Sequence, residues 1–515
     1  MYLASALQGL DLEITATKAF VACFALIITT TIYKLVYNAY FHPLASLPGP
    51  FLYRTTEFPY RWQQVRGRET YILAKLHQKY GHVVRIAPND VSYTGPEAWK
   101  AIYGHHVTPG GSYLSRNLPA GPDMDAYGAL GVFNAEGEEH ARKRHHFNPA
   151  FSDRALREQE PIVMQYINGL MNSFTKKAKT GEPVDLSQWF DFVTFDVIGD
   201  IMFGSDVFGC VESSRYHPLV SDLFSRFEAI VLNMAFERIA PPLASLLRIL
   251  TPNHIKQRQK AHADTIKSLV DCRLNTITNR PDFISFLLSQ DRKAPFTAAD
   301  RNEIYPTASQ TMLAGSETIA TTLSGCILFL LQHPDAMAKA KQEIRTTYKS
   351  VDEINPSALA TNKYFLAVLD ESMRLYTAVP GHIRRYVPAG GCNILGTFIP
   401  EGTFVGFTAY SAYRDESHFK EAEKFIPERW LGTDPQYEND NREMVRPFGY
   451  GPMDCIGMNL ARFELRMVLA RLIWQFDLEL MSESRDWFDQ KVFIIWYRRP
   501  LLVKLVARDL SSKST

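Results

Sequence analysis

The sequence predicts a mainly α-helical fold with a small β region, carried behind one N-terminal transmembrane helix. Through most of the chain, apolar residues recur every three or four positions between Pro and Gly breaks, which is the period of helices laid on a core. Strand-like runs are few: "HVVRIAP" near residue 85, "GCNILGTFIPEGTFVGF" over 391–407, and "QKVFIIWYRRPLLVKLV" toward the C-terminus. Ahead of all of these lies "AFVACFALIITTTIY", residues 19–33, with no charge in it. The strand–helix alternation that builds a doubly wound parallel sheet is missing.

Continued past Lys34 through "LVYNAYF", the apolar run reaches about the length that spans a bilayer, and Lys34 can snorkel to the headgroups. Asp11 and Glu13 stand where a cleavable signal peptide carries basic residues, and no small-X-small site follows cleanly, so the segment is read as retained. Lys34, Arg54, Arg61, Arg66 and Arg68 weight the downstream side with positive charge, which faces the main domain to the cytosol. "HPLASLPGP", residues 42–50, is expected to form a stiff, extended connector because of its prolines. The organisation predicted is a membrane anchor over 1–41, a proline-rich hinge over 42–50, one large domain over 51–508 and a C-terminal tail over 509–515.

A chain of 515 residues that is 46% hydrophobic has material for a large core, and no linker, low-complexity tract or internal repeat divides it after about residue 50. The formal charge of +1 gives no electrostatic footprint for nucleic acid. Cys23, Cys210, Cys272, Cys326, Cys392 and Cys455 are scattered without close pairing, against both a disulfide framework and a cysteine zinc site. No GxSxG elbow and no HExxH occur. Gly449 and Gly451 lack the third glycine of a dinucleotide loop, that position being Asp454.

"FGYGPMDCIGMNLAR", residues 448–462, sets one cysteine among three glycines and a proline. A metal-ligating thiolate needs shielding and backbone N–H donors that moderate its charge, and glycines let the backbone approach the sulfur. Gly451, Pro452 and Gly457 can shape that turn, and Phe448 can cover the sulfur. Ile456, Leu460, Phe463 and Met467 follow at helical spacing, which predicts a helix starting at Cys455. Taken alone, the cysteine reads equally as an inert buried thiol.

The stretch "FGYGPMDCIG" resembles the haem-binding loop of cytochromes P450, F-x-x-G-x-x-x-C-x-G, and further elements of that family follow in order over nearly the whole chain. The resemblance implies the cytochrome P450 fold over 51–508, haem b, and Cys455 as the thiolate ligand of its iron. In "DESMRLY" (370–376), Glu371 and Arg374 stand at i and i+3. With Arg429 of "FIPERW" they match a buried structural Glu-Arg-Arg network of the family. In "MLAGSETIATT" (312–322), small Ala314 and Gly315 loosen a helix and Glu317 and Thr318 follow them. This stretch resembles the family's oxygen-activating segment, in which the acid and the Thr hydroxyl are catalytic and deliver protons. The alternative is a core helix with Thr318 bonded back to its own carbonyl ladder. In "HARKRHHFNPAFS" (140–152), the resemblance selects His140 and Arg144 as haem-propionate contacts, and Arg385 in "HIRRYVP" as another. Two residues before the cysteine the family carries Arg or His, whereas here Met453 stands, so His140, Arg144 and Arg385 are expected to compensate.

The function so implied is a monooxygenase that uses O2 and two electrons to oxidise a lipophilic small molecule. "YFHPLASLPGP", "VVRIAPNDVSY" and "FDVIGDIMFG" resemble fungal microsomal members that act on terpenoid, polyketide or alkaloid scaffolds in secondary metabolism. No flavin- or NADPH-binding segment is visible, so a membrane-bound NADPH-cytochrome P450 reductase, with cytochrome b5 as a further partner, is expected at the endoplasmic reticulum. The pocket is expected to draw on 105–133, 223–236, Leu313, Ala314, Val379 to His382 and Phe493 to Trp496. A rearrangement enzyme without external electrons, or a noncatalytic haem sensor, would not need the Glu317–Thr318 pair.

Overall fold

The computed structural model describes residues 2–108, 110–118, 124, 126–240, 251–288 and 297–508, and only the backbone of 2–17, 221–227 and 298–299. The expected tail over 509–515 lies outside the described residues. The helices that frame the site are α1 (Tyr2–Val36), α2 (Gly137–Phe147), α3 (Asp153–Thr180), α4 (Leu186–Phe203), α5 (Pro218–Ile239), α6 (Ala298–Gln332), α7 (Lys363–Leu375) and α8 (Met458–Gln475).

Local sequence sets where these helices begin and end. In α6, Thr297 Oγ1 accepts the Asp300 N–H while Asp300 Oδ2 accepts the Thr297 N–H at 2.8 Å, a reciprocal cap, and the helix stops before Pro334. Asp185 caps α4 by accepting the Ser187 N–H at 3.0 Å, and Gly204, at φ +77°, ends it in the left-handed region. Every residue of α4 except Gln188 is buried, as expected of a helix inside a core. Its three aspartates are buried with partners: Asp191 accepts from Tyr216 Oη, Asp200 from Tyr166 Oη, and Asp196 from the Cys210 and Val211 N–H groups. Where α4 meets α6, a Cβ on Gly315 would lie 2.9 Å from Ile198 Cδ1, so the missing side chain lets the two helices close together.

The β region holds eleven short strands among the described residues. A four-stranded sheet runs β1 (Val83–Ala87), β2 (Asp90–Tyr93), β7 (Phe404–Thr408), β4 (His382–Tyr386), antiparallel except for β2 beside β7. A three-stranded sheet places β11 (Leu502–Ala507) between β3 (Val184–Asp185) and β8 (Phe476–Leu480). Two hairpins complete the set: β5 (Cys392–Ile394) with β6 (Thr397–Ile399), and β9 (Lys491–Phe493) with β10 (Ile495–Tyr497).

Residues 18–41, within α1 and the turn Tyr37–Phe41, are long and apolar enough to cross a membrane; the apolar window of that span is unburied, and only at its end does Ala39 bury against the domain. The apolar stretch of α6 passes the same length test but lies mostly inside the core. Residues 42–50 differ from the expected extended connector: Ala45 N–H bonds the His42 carbonyl at 2.8 Å, and Leu44 and Leu47 are buried against Val91 and Trp99. Burial of two leucines outweighs the preference of the prolines, and the segment is packed onto the domain.

Candidate active site

Cys455 sits in a turn closed by its own N–H donating to the Phe448 carbonyl at 2.8 Å, with Asp454 N–H bonding the Gly451 carbonyl at 3.1 Å. Gly449 and Gly451 both have φ +81°, and a Cβ on Gly451 would lie 1.9 Å from the Tyr103 carbonyl oxygen, so the turn admits only glycine there. A Cβ on Gly457 meets nothing closer than Phe151 at 3.8 Å; its service is the backbone N–H that bonds the sulfur. α8 begins at Met458 with Gly457 before it, three residues later than the apolar spacing predicts, because the turn that presents the thiol occupies 455–457. Leu460, Phe463 and Met467 are buried as the stripe requires, and Ile456 and Phe448 pack at the edge of the core.

The Cys455 side chain is accessible, yet the surrounding protein withholds solvation and pushes its thiol pKa upward. The Gly457 N–H and the guanidiniums of Arg144 and Arg116 pull in the opposite direction without prevailing. A bound metal cation is what would hold this sulfur as thiolate.

Arg144, on α2, donates to the Asp454 carbonyl at 2.6 Å, to the Pro452 carbonyl at 3.2 Å and to the Asp454 carboxylate. Its bonds therefore go to the cysteine loop. His140, one turn earlier, is buried with Tyr113 Oη 3.5 Å from Nδ1. Arg385 on β4 is buried, donates to the Arg384 carbonyl, and lies with its guanidinium carbon 4.8 Å from the centre of the Tyr103 ring.

Motif reading passed over Arg116. An isolated bridge between Ser115 and Tyr386 lays its strand beside β4, and its guanidinium donates to the Phe133 carbonyl at 2.8 Å and to the Met453 carbonyl at 2.9 Å. No helical period or familiar spacing marks "SYLSRN"; only the tertiary bridge brings it here. Burial, then Arg385 and Arg144, lowers the Arg116 pKa to about 9, and burial with the same cations lowers His140 to about 4. Arg385 is likewise lowered by burial. Among the described residues, the bonds of Arg116 and Arg385 go to carbonyls, and no carboxylate pairs with either. Cations gathered and desolvated, with Glu136 near them but not hydrogen-bonded to either, fit a further anionic partner.

On α6, the accessible positions Thr311, Ala314 and Thr318 follow one another at three and four residues, while Met312, Ser316, Glu317 and Ile319 are buried. Thr318 Oγ1 donates to the Ala314 carbonyl at 2.8 Å, the back-bond of an ordinary helical threonine. Gly315 is committed to the α4 contact described above, so the room expected of the Ala-Gly pair falls to Ala314 alone. Glu317 faces the other way: Arg498 Nη2 donates to Glu317 Oε2 at 2.8 Å and to Asp191 Oδ1 at 2.6 Å, all three buried. One guanidinium serves two carboxylates, and burial pushes Glu317 up to about 7. Its Oε1 is buried without a hydrogen-bond partner.

Behind the loop, Glu371 receives both Arg374 Nε and Nη2 at 2.8 Å, Arg429 Nε at 3.0 Å, the Ile426 N–H at 2.9 Å and Trp430 Nε1 at 2.9 Å. All three charged side chains are inaccessible, and the pairing holds Glu371 below its usual value despite burial.

Of the expected pocket residues, Trp496 is buried with Nε1 donating to the Thr377 carbonyl and its ring stacked 4.6 Å from Tyr376; it is a core residue. Residues 109, 119–123 and 125, and the side chains of 223–227, lie outside the described residues.

The thiol with its N–H donor, the clustered arginines and the accessible line on α6 suit a planar metal cofactor bearing acidic groups. Comparison with known proteins agrees. The family model "Cytochrome P450" matches residues 55–504. Cytochrome P450 monooxygenase astA of Talaromyces wortmannii is 38% identical over 94% of this chain and 96% of its own length. Averantin hydroxylase of Dothistroma septosporum is 36% identical over 95% of this chain and 92% of its own, and trichothecene C-15 hydroxylase of Fusarium sporotrichioides 36% over 92% and 95%.

Proposed function

The chain belongs to the cytochrome P450 family and is a P450 monooxygenase by class, and from that premise we propose that it hydroxylates, or otherwise oxidises, a lipophilic metabolite in fungal secondary metabolism. The observation that carries the reading is Cys455, accessible in a glycine-defined turn, beside Arg116 and Arg385, which no carboxylate among the described residues hydrogen-bonds. Haem b, when bound, supplies a thiolate-ligated iron at which dioxygen is activated by two electrons.

The residues of this chain do the rest. Cys455 would ligate the iron, and the Gly457 N–H would moderate the charge on sulfur. Arg116, Arg385, His140 and Arg144 are the residues that would meet the propionates, Arg116 standing beside Met453 where the family places its own cation. Arg144 positions the loop through Asp454. Thr318 Oγ1, on the accessible line, exchanges its bond to the Ala314 carbonyl for proton donation at the oxygen-binding face. Glu317, pushed up to about 7 by burial, exchanges a proton near neutral pH and is the acid of the pair. Glu371, Arg374 and Arg429 keep the segment behind the haem in place.

Electrons come from NADPH through a membrane-bound cytochrome P450 reductase, with cytochrome b5 as an auxiliary donor. The apolar N-terminal helix holds the protein in the endoplasmic reticulum, and Lys34, Arg54, Arg61, Arg66 and Arg68 keep the domain on the cytosolic side. Two of the named relatives are an averantin hydroxylase and a trichothecene C-15 hydroxylase, which supports hydroxylation of a lipophilic secondary metabolite. Incubation of the purified protein with reductase, NADPH and a panel of terpenoid, polyketide and alkaloid metabolites tests this. A hydroxylated product carrying one atom from labelled O2 supports it; turnover that proceeds without reductase and O2 would contradict it.

A further inference from the structure

A second cluster lies at the open end of the β1/β2 hairpin. His82 precedes β1, and Asp415 and His418 stand on the turn after Tyr413. One ligand-capable atom of each lies within 4.8 Å of the other two. The two histidines border a cleft of ≈ 320 Å³ whose lining also includes Tyr93, Glu97 and Leu395.

The groups are arranged as ligands are. A ring nitrogen of His418 bonds the Thr94 backbone, while its Nε2 is buried without a partner. An imidazole that donates one N–H to a carbonyl has its tautomer fixed and its other lone pair free, which is the usual support of a metal-binding histidine. Asp415 is half-spent in the same way: Oδ1 accepts the Ser417 N–H at 2.8 Å and Ser417 Oγ at 2.7 Å, leaving Oδ2 3.8 Å from His82 Nδ1. Thr94 fixes His82 too, its Oγ1 lying 3.1 Å from Nδ1 and its N–H donating to the His82 carbonyl at 3.0 Å. The two rings stand 5.0 Å apart. Exposed Glu97 adds negative charge at the rim.

We propose that His82, Asp415 and His418 bind a divalent transition-metal ion of the zinc type, with water or Glu97 completing the coordination. Two imidazoles and one carboxylate select a borderline dication over calcium or magnesium, which want oxygen alone. Tetrahedral bonds of about 2.1 Å set ligands about 3.5 Å apart, so closure asks only small rotations of the side chains present. The consequence is mechanical: the ion ties the hairpin to the turn that leads into Phe419, the ring over which Arg374 and Arg429 lie at 5.0 and 5.9 Å.

The probe is zinc alone on untagged, full-length holoenzyme stripped with chelator, bound zinc and haem iron being measured separately by elemental analysis after equilibrium dialysis. The expected result is one zinc per haem iron. Affinity falls by more than about 100-fold in His82→Gln and in Asp415→Asn, beyond what loss of outer support alone produces. Zinc raises the melting temperature of the wild type and not of His82→Gln, an exposed position whose exchange leaves haem content unchanged. Wild-type protein that takes up no zinc at micromolar concentration, or variants that bind as tightly as wild type, would overturn the proposal, whatever the haem does.

Discussion

Arg116 and Glu317 show how single residues depend on what surrounds them. Arg116 carries its charge beside Arg385 and Arg144 at a cost in the haem-free protein, since like charges gathered out of water repel. Arg116→Ala is expected to leave the apoprotein as stable or more so, while weakening haem binding by about 1.5–3 kcal/mol, the worth of one bond to a charged group. Haem titration beside apoprotein melting separates the two. For Glu317 the sign follows from its raised pKa, above the ordinary 4.5 and up to about 7. Between those values the folded protein holds a proton that the unfolded chain releases, so raising the pH favours unfolding. Wild type should therefore lose stability relative to Glu317→Gln across that window and hold level above it, as read by denaturant melts at stepped pH. The sequence places Glu317 next to Thr318, but neighbours on a helix point 100° apart, and its partner Arg498 lies 181 residues away. That pairing was not legible from the motif.

At the scale of elements, the cysteine turn was legible because its constraint is local. Glycines at φ +81° announce themselves by residue type, and the apolar stripe of α8 by its period. Gly451→Ala should abolish haem incorporation while the bulk helical signal persists, since a Cβ 1.9 Å from the Tyr103 carbonyl forces the turn open. Holoprotein yield and far-ultraviolet dichroism measure it. What the period hid was where α8 begins, for the stripe includes Ile456 although the turn still runs through Gly457. The short strands β2, β3, β4 and β8 were equally hidden: with two to five residues each they carry no alternation long enough to read, and pairing partners distant in sequence define them.

Across the whole molecule, the Glu371–Arg374–Arg429 cluster spans 58 residues and has no access to solvent. Arg374→Ala leaves Glu371 buried with less than its charge matched, an expected loss on the order of 3–5 kcal/mol and protein recovered largely without haem. The anchor was legible as an uncharged run, yet its junction was not. Arg85 Nη1 donates to the Asn38 carbonyl at 2.9 Å and Ala39 is buried, so removal of residues 1–36 is expected to free the domain from membranes with its fold intact. Sedimentation after alkaline extraction decides that.

The claim on which the chemistry rests is that sulfur at position 455 is bonded to haem iron. The carbon monoxide complex of the reduced, full-length protein measures it directly. A red-shifted band of the kind thiolate ligation gives, lost in Cys455→Ala, is the predicted result. A haem-loaded wild type without that band, or a Cys455→Ala protein that keeps it, would contradict the account.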